Sequence, residues 1–457
     1  MNRSQIKDFT KGNIMKQLLV FSLPLFLSNL LQIVYNMVDM VIVGQELGLE
    51  GIAAVSVGGD VSAFLTFVAM GFSNAGQVII ARYIGAGERY KIGKFVGTMS
   101  SFLLVCSAFI SAFGLIFRGE ILDVMNTPAE SRSEAMAYSV ICMVGLVFIY
   151  GYNIVSAILR GMGDSKHPFI FIGIAAVLNL ALDVIFVMVM DKGAGGAALA
   201  TVISQAVSFI SCTVFLIKKR SEFELVAKIR DFIRWDGEML GDLLRLGIPM
   251  AIKTASIQIS KLFVNSWINS YGKEISAFAG IANKISSISN LVSSAMNTSG
   301  STMVGQNIAA GRFDRVNKIL KSLALITLTV ALAFSLVICL FPDWIFTAFI
   351  DKSNEADKLE ILNIGYKYLP IAVMLFFGGA MRAIMNALIN GSGNTRINFV
   401  TAILDGIVLR IGLALLFGLV LDMEHYGFWL GDALAGFTPF WIGLVFYFTG
   451  LWKKKKE

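Results

Sequence analysis

Two aspartates, Asp39 and Asp183, stand inside long apolar stretches, with no basic residue at comparable depth in that half of the chain. An ionisable side chain held at membrane depth costs about 2.5–3.5 kcal/mol on insertion scales, so its retention marks a working group. Asn179 lies four residues before Asp183, which puts both on one helix face. Ala197 and Thr201 repeat that spacing on the next apolar stretch, after Gly193-Ala194-Gly195-Gly196. Two carboxyls, an amide, a hydroxyl and a backbone carbonyl loosened near the glycines would make an oxygen site for H⁺ or Na⁺ rather than a transition metal. Low dielectric favours the neutral form of a carboxyl, so the chemistry on offer is reversible proton or cation binding. The competing structural role for Asn179, Asp183 and Thr201 is to hydrogen-bond neighbouring helices together.

Such residues need a scaffold that keeps them out of water. The chain has 457 residues, 56% apolar and only 15% charged, with a mean hydropathy of +0.73. Soluble domains carry roughly 25% charge. A spanning helix needs about twenty mostly apolar residues, and twelve segments qualify, at 15–43, 52–81, 95–117, 136–158, 168–190, 195–217, 242–270, 275–308, 319–341, 361–388, 397–420 and 427–452. The expected fold is an all-α integral membrane protein with twelve transmembrane helices. The first apolar run is too long for a signal peptide and reads as a retained span.

Lys and Arg alternate between connections. One set of loops and both ends hold 26, and the other loops hold 7, which predicts a multi-pass protein of the cell membrane with both termini cytoplasmic. The net charge of +7 lies in these loops, without a basic stripe interleaved with aromatics, so nucleic acid is not an expected partner. Cys106, Cys142, Cys212 and Cys339 fall within apolar runs, and His167 and His425 are the only histidines; neither set has metal-ligand spacing. No phosphate loop, H-E-x-x-H or nucleophile elbow is present, so the chain is not expected to be an enzyme or to carry a cofactor.

The sequence is internally duplicated. Leu23-Pro24 matches Ile248-Pro249 at an offset of 225 residues, and Ile84-Gly85-Ala86-Gly87 matches Ile308-Ala309-Ala310-Gly311 at 224. Leu159-Arg160-Gly161-Met162-Gly163-Asp164 matches Ile389-Asn390-Gly391-Ser392-Gly393-Asn394 at 230. Six spans per half give two parallel, pseudo-symmetric six-helix bundles, with the substrate path between them. The expected divisions are a first lobe at 1–217, a cytoplasmic linker at 218–241 and a second lobe at 242–457. A path closed within one chain predicts a monomer.

Other polar residues carry weaker signals. Asp60 follows Gly58-Gly59 and is expected to be shallow and solvated. The second half reverses sign, with Lys253, Lys261, Lys284, Arg382 and Arg410 in or near apolar runs and Asp405 five residues before Arg410. These either pair internally or attract anionic groups. Gly161-Met162-Gly163-Asp164 has the G-x-G-D form of an intramembrane protease, but its place in a basic connection predicts a tight turn. Gln32, Tyr35, Asn36, Tyr138, Tyr150 and Asn153 are candidates to line a substrate cavity.

The chain resembles the multidrug and toxic compound extrusion (MATE) family of the multidrug/oligosaccharidyl-lipid/polysaccharide exporter group. The resembling residues are Leu23-Pro24, Val38-Asp39-Met40-Val41-Ile42-Val43-Gly44, Ala53-Ala54-Val55, Ile84-Gly85-Ala86-Gly87, Arg160-Gly161-Met162-Gly163-Asp164, Gly193 to Thr201 and Gly427-Phe428-Trp429-Leu430. The resemblance implies two bundles that alternate between outward-open and inward-open forms, exporting small amphipathic organic compounds in exchange for H⁺ or Na⁺. In the branch resembling DinF, the cation site maps onto Asp39, Asn179, Asp183, Ala197 and Thr201, with any Na⁺ at Asp39, Asn179 and Asp183. Tyr138 and Asn153 map onto the fourth-span polar pair. The branch resembling NorM has acids on spans seven and ten, where this chain offers Ile257-Gln258 and Arg382, so a second cation site is not expected. The alternative reading is a lipid-linked oligosaccharide flippase of the same superfamily. Small-molecule substrate and membrane lipid are the expected partners.

Overall fold

The computed structural model describes residues 5–125, 127–347 and 355–453. Twelve long helical segments occur among the described residues. In chain order they are α1 Ile14–Gly48, α2 Glu50–Gly85 and α3 Arg89–Ile116. Next come α4, bent between Arg132–Val144 and Leu146–Gly161, then α5 Lys166–Val189 and α6 Gly193–Lys218. The second set is α7 Gly237–Asn269 and α8 Lys273–Ala309, α9 Phe313–Leu340, α10 Glu355–Ser392, α11 Thr395–Val420 and α12 Glu424–Phe448. By length and apolarity 9 of these can cross a membrane, or 10 with bent α4 counted as one span; α7 and α8 are the more polar pair.

Apolar side chains also cover the outside. Phe109, Val177, Leu262, Leu332 and Trp441 are all exposed, an arrangement that suits lipid and not water. Helical backbone satisfies its own polar groups, which a membrane interior demands.

The chain forms two compact units. The first comprises residues 1–8 and 23–251, and the second 9–22 and 252–457. Two of the three crossovers fall within two residues of Pro24 and Pro249, the repeated prolines. Segment 9–12 is tied into the second unit: Gln306 Oε1 accepts the Phe9 N–H at 2.9 Å, Asn307 donates to the Phe9 carbonyl at 3.1 Å, and Arg315 donates to the Phe9, Lys11 and Gly12 carbonyls.

The repeated glycines have a backbone reason. Gly87 and Gly311 have φ 77° and 69°, and Gly163 and Gly393 have φ 87° and 65°, the left-handed region that glycine enters without steric cost. The G-x-G-D sequence is therefore a helix-ending turn. Asp164 Oδ1 accepts the N–H groups of Lys166 and His167 at 3.1 and 3.2 Å, capping α5.

Segment 218–241 stays on the first unit through charge pairs with the start of α3. Arg89 meets Glu224 at 2.8 Å and Lys94 meets Asp236 at 2.6 Å. The Lys94 ammonium, helped by the Met239 N–H, holds the Asp236 carboxyl below the usual carboxylate range.

Candidate functional site

The bend in α4 sets the first unit's interior. Its two limbs meet at 50° around Gly145, where a Cβ would lie 2.3 Å from Val202 of α6. Tyr138 therefore approaches from one limb and Asn153 from the other, and both face a cavity of about 510 Å³. Gln32, Tyr35, Asn36 and Asp39 of α1, Asp60 of α2, and Thr201 and Gln205 of α6 line the same space. Tyr150 does not; it is fully buried, with its hydroxyl donating to the Leu65 carbonyl at 2.8 Å.

Beside this cavity lies the acid pair. Asp39 is 2% exposed, Asp183 0% and Asn179 2%. Asp39 and Asp183 are neighbours, each the carboxyl that acts on the other. No Lys, Arg or His forms an ion pair with either among the described residues. Asn179 Nδ2 donates to Thr201 Oγ1 at 3.5 Å, joining α5 to α6. Asp39 Oδ1, both Asp183 carboxyl oxygens and Asn179 Oδ1 are buried with no donor reaching them. Buried acceptors normally find a donor. Four that lack one lie on three neighbouring side chains, a set of hard oxygens of the kind that suits a shared proton or a small hard cation. Among the described residues, no group of three or more His, Cys, Asp or Glu could hold a metal ion.

One expectation needs correction. The backbone after Gly193-Ala194-Gly195-Gly196 is not loosened: Gly193–Lys218 is regular α-helix. Ala197, fully buried, sits inside it one turn before Thr201 and frees no carbonyl. The irregular backbone is on α5 instead, in a π-turn over Val184–Val189 that starts at the residue after Asp183. Such turns recur at functional sites because they shift hydrogen bonding by one residue.

The basic residues of the second unit largely pair internally. Arg410 is 1% exposed and meets Asp405 at 3.0 Å and Asp432; Arg382 meets Asp405 at 3.5 Å. Lys253 donates to Asn386 Oδ1 at 2.5 Å. Asp432 is a site residue that sequence spacing missed, because its partner lies 22 residues away on another helix.

A polar cavity among apolar helices, with a carboxyl pair beside it, defines a multi-pass membrane transporter. The chain belongs to the MatE family, whose family model matches residues 24–185 and 249–416. "Probable multidrug resistance protein YoeA" of Bacillus subtilis (strain 168) is 28% identical over 453 residues, covering 98% of this chain and 96% of that protein. "Probable multidrug resistance protein NorM" of Thermotoga maritima is 25% identical over 449 residues, covering 97% and 94%. The solved structure of an outward-facing multidrug resistance MATE family transporter superposes with a TM-score of 0.89 at 23% identity, over 100% of both chains. A transporter of the wider MOP superfamily from Pyrococcus furiosus gives 0.87 at 23% identity, again over 100% of both. These likenesses carry the twelve-helix fold.

Proposed function

We propose that this protein exports small amphipathic organic compounds across the cell membrane in exchange for H⁺ or Na⁺, by alternating access, with both termini cytoplasmic. One observation carries the reading. Asp39 lines the 510 Å³ cavity and is also the neighbour of buried Asp183, so a single side chain belongs to both the compound's space and the ion's.

That double membership is what coupling requires. Two ionised carboxylates in contact at low dielectric repel, so the Asp39–Asp183 contact closes when a proton or a cation lies between them. Loss of that charge drives the carboxyls apart and moves Asp39 within the cavity wall. Compound and ion then favour different arrangements of one residue, and differential affinity is the only way a ligand shifts an equilibrium. Asn179 and Thr201 supply neutral oxygens, while Ala197 keeps the neighbouring turn of α6 narrow. Pro24, which offers no N–H to the helix ladder, is where α1 would yield. The multidrug resistance names of the relatives agree with an organic cargo.

The test is efflux of a fluorescent amphipathic dye from vesicles, with Na⁺ and pH gradients imposed separately. Wild type should respond to one gradient, and Asp39→Asn and Asp183→Asn should lose at least 10-fold in rate while still inserting. Normal gradient-driven efflux by Asp183→Asn would overturn the site.

A further inference from the structure

The two halves can be superimposed residue by residue from their backbone hydrogen bonds. After α5, the N–H groups of Met190, Lys192 and Gly196 bond the carbonyls of Ile185, Phe186 and Lys192. After α11, Leu421, Met423 and Gly427 bond Leu416, Phe417 and Met423, each pairing 231 residues on. Asp191 and Asp422 share φ 51° and 52°, and Gly193 and Glu424 share 57° and 52°. Upstream, Gly163 and Gly393 match at 230. The added residue is accounted for within α11, which has an extra π-turn at Leu404–Val408 where α5 is regular from Lys166 to Asp183.

This register shows what became of the acid site in the second copy. Asp183 corresponds to Ala414, and Asp39, counted from the prolines, corresponds to Val264. Neither carboxyl is repeated. Asn179 and Thr201 correspond to Arg410 and Asp432, and their hydrogen bond is replaced by an ion pair at the same position. Asn36 corresponds to Lys261, and Asp60 corresponds to Lys284. Wherever the charge of these positions changed, except at Thr201, it became more positive.

The resulting cluster does not balance. Lys253, Lys261, Arg382 and Arg410 face two carboxylates, Asp405 and Asp432, both engaged by Arg410. Lys261 makes no hydrogen bond or ion pair among the described residues. It lines a recess of about 30 Å³ with Asn265, Asn283, Ser286 and Asp432, beside Tyr368 and Trp429. An ammonium in such surroundings that no carboxylate contacts directly is costly. The side-chain amides and the hydroxyl offer further donors, and the space admits a group about the size of a carboxylate.

We infer that the Lys261 recess is an anion-recognising subsite, which takes the carboxylate end of an amphipathic compound while its apolar remainder lies against Trp429 and its neighbours. Asp432 tunes the subsite by competing for Lys261. The protein would then accept cargo bearing a negative end, at a place separate from the Asp39–Asp183 pair and independent of any gradient.

The test is equilibrium binding in nanodiscs of zwitterionic lipid, read as tryptophan quenching by bromodecanoate, with bromodecanol as the neutral control. Trp429→Phe assigns the signal to the recess. Lys261→Gln should weaken bromodecanoate at least 10-fold and leave bromodecanol unchanged, and Asp432→Asn should tighten it. Lys261→Arg should retain binding, which separates charge from folding. Equal bromodecanoate binding by wild type and Lys261→Gln overturns the subsite. So does equal quenching by the two probes, and so does displacement by phosphatidylglycerol added to the disc, since the occupant would then be lipid. No ion gradient enters the measurement, so failure of efflux and failure of this subsite are separately visible.

Discussion

Arg410 stands where the first half has Asn179, 231 residues earlier, and each reaches across to the next helix, to Asp432 and to Thr201 respectively. One bridge between helices has been kept and its chemistry changed, from a neutral hydrogen bond beside an acid pair to an ion pair inside a basic cluster. The two units therefore present different chemistry on a shared architecture.

The neutral bridge should tune ion affinity without creating the site. Thr201→Val removes one oxygen ligand and the acceptor of the Asn179 amide while preserving shape. The concentration of coupling ion giving half-maximal efflux is expected to rise about 10-fold, equivalent to about 1.4 kcal/mol. Maximal efflux at saturating ion should stay within about twofold. A shift in the maximum alone would place Thr201 outside the ion site.

The ion-paired bridge should be structural. Arg410→Met leaves Asp405 and Asp432 in a buried setting without their shared cation, a change that typically costs about 3–5 kcal/mol. Thermal unfolding in detergent should show it as a clear loss of Tm. The double variant Arg410→Met/Asp432→Asn should recover part of the loss, because one stranded charge is gone. Equal Tm values for the single variant and wild type would show that the pair contributes nothing.

Close packing of α12 on α11 gives a matched pair of glycines. A Cβ on Gly431 would lie 2.4 Å from the Ala414 nitrogen and 2.5 Å from its Cα, backbone atoms that cannot swing aside. Gly431→Ala should cost about 1–3 kcal/mol. A Cβ on Gly412 meets nothing within 4 Å, so Gly412→Ala should be neutral or gain up to about 1 kcal/mol from reduced backbone freedom. The same unfolding assay ranks the two.

The linker should loosen at low pH. The Lys94–Asp236 pair holds the Asp236 carboxyl below its ordinary value, so its contribution is complete above about pH 4 and is lost as pH falls through the lowered value. The pair is largely solvated, and 1 M salt should weaken it as well. Trp235, whose Nε1 donates to Ser101 Oγ at 2.8 Å, is a built-in reporter. In a variant retaining only Trp235, emission should shift red between pH 4 and 2.5, and Lys94→Ala should produce part of that shift at pH 7. Flat emission across the titration would show that the contact does not hold the linker.

Much of the first unit was legible because a carboxylate in an apolar run is conspicuous: Asp39, Asn179, Asp183 and Thr201 announce themselves by composition and four-residue spacing. The cavity residues Gln32, Tyr35, Asn36, Tyr138 and Asn153 were legible for the same reason. Asp432 was not, since nothing local distinguishes it and its partner Arg410 is brought to it by helix pairing. Nor could composition show that backbone irregularity follows Asp183 rather than the glycines before Ala197. A π-turn follows from how a helix packs, and Val184–Val189 carries no glycine or proline to mark it. The span count was readable, whereas the exchange of residues 9–22 into the second unit depends on tertiary contacts of Gln306, Asn307 and Arg315.

The extra π-turn at Leu404–Val408 also orders events in the gene's past. A residue present in one copy and absent from the other was gained or lost after the duplication. The π-turn absorbs that residue, so Arg410 reaches the next helix beyond it just as Asn179 does without it. Length and charge at this face are therefore separable: a helix that widens by one turn can take in a residue upstream and keep every downstream side chain on its old bearing.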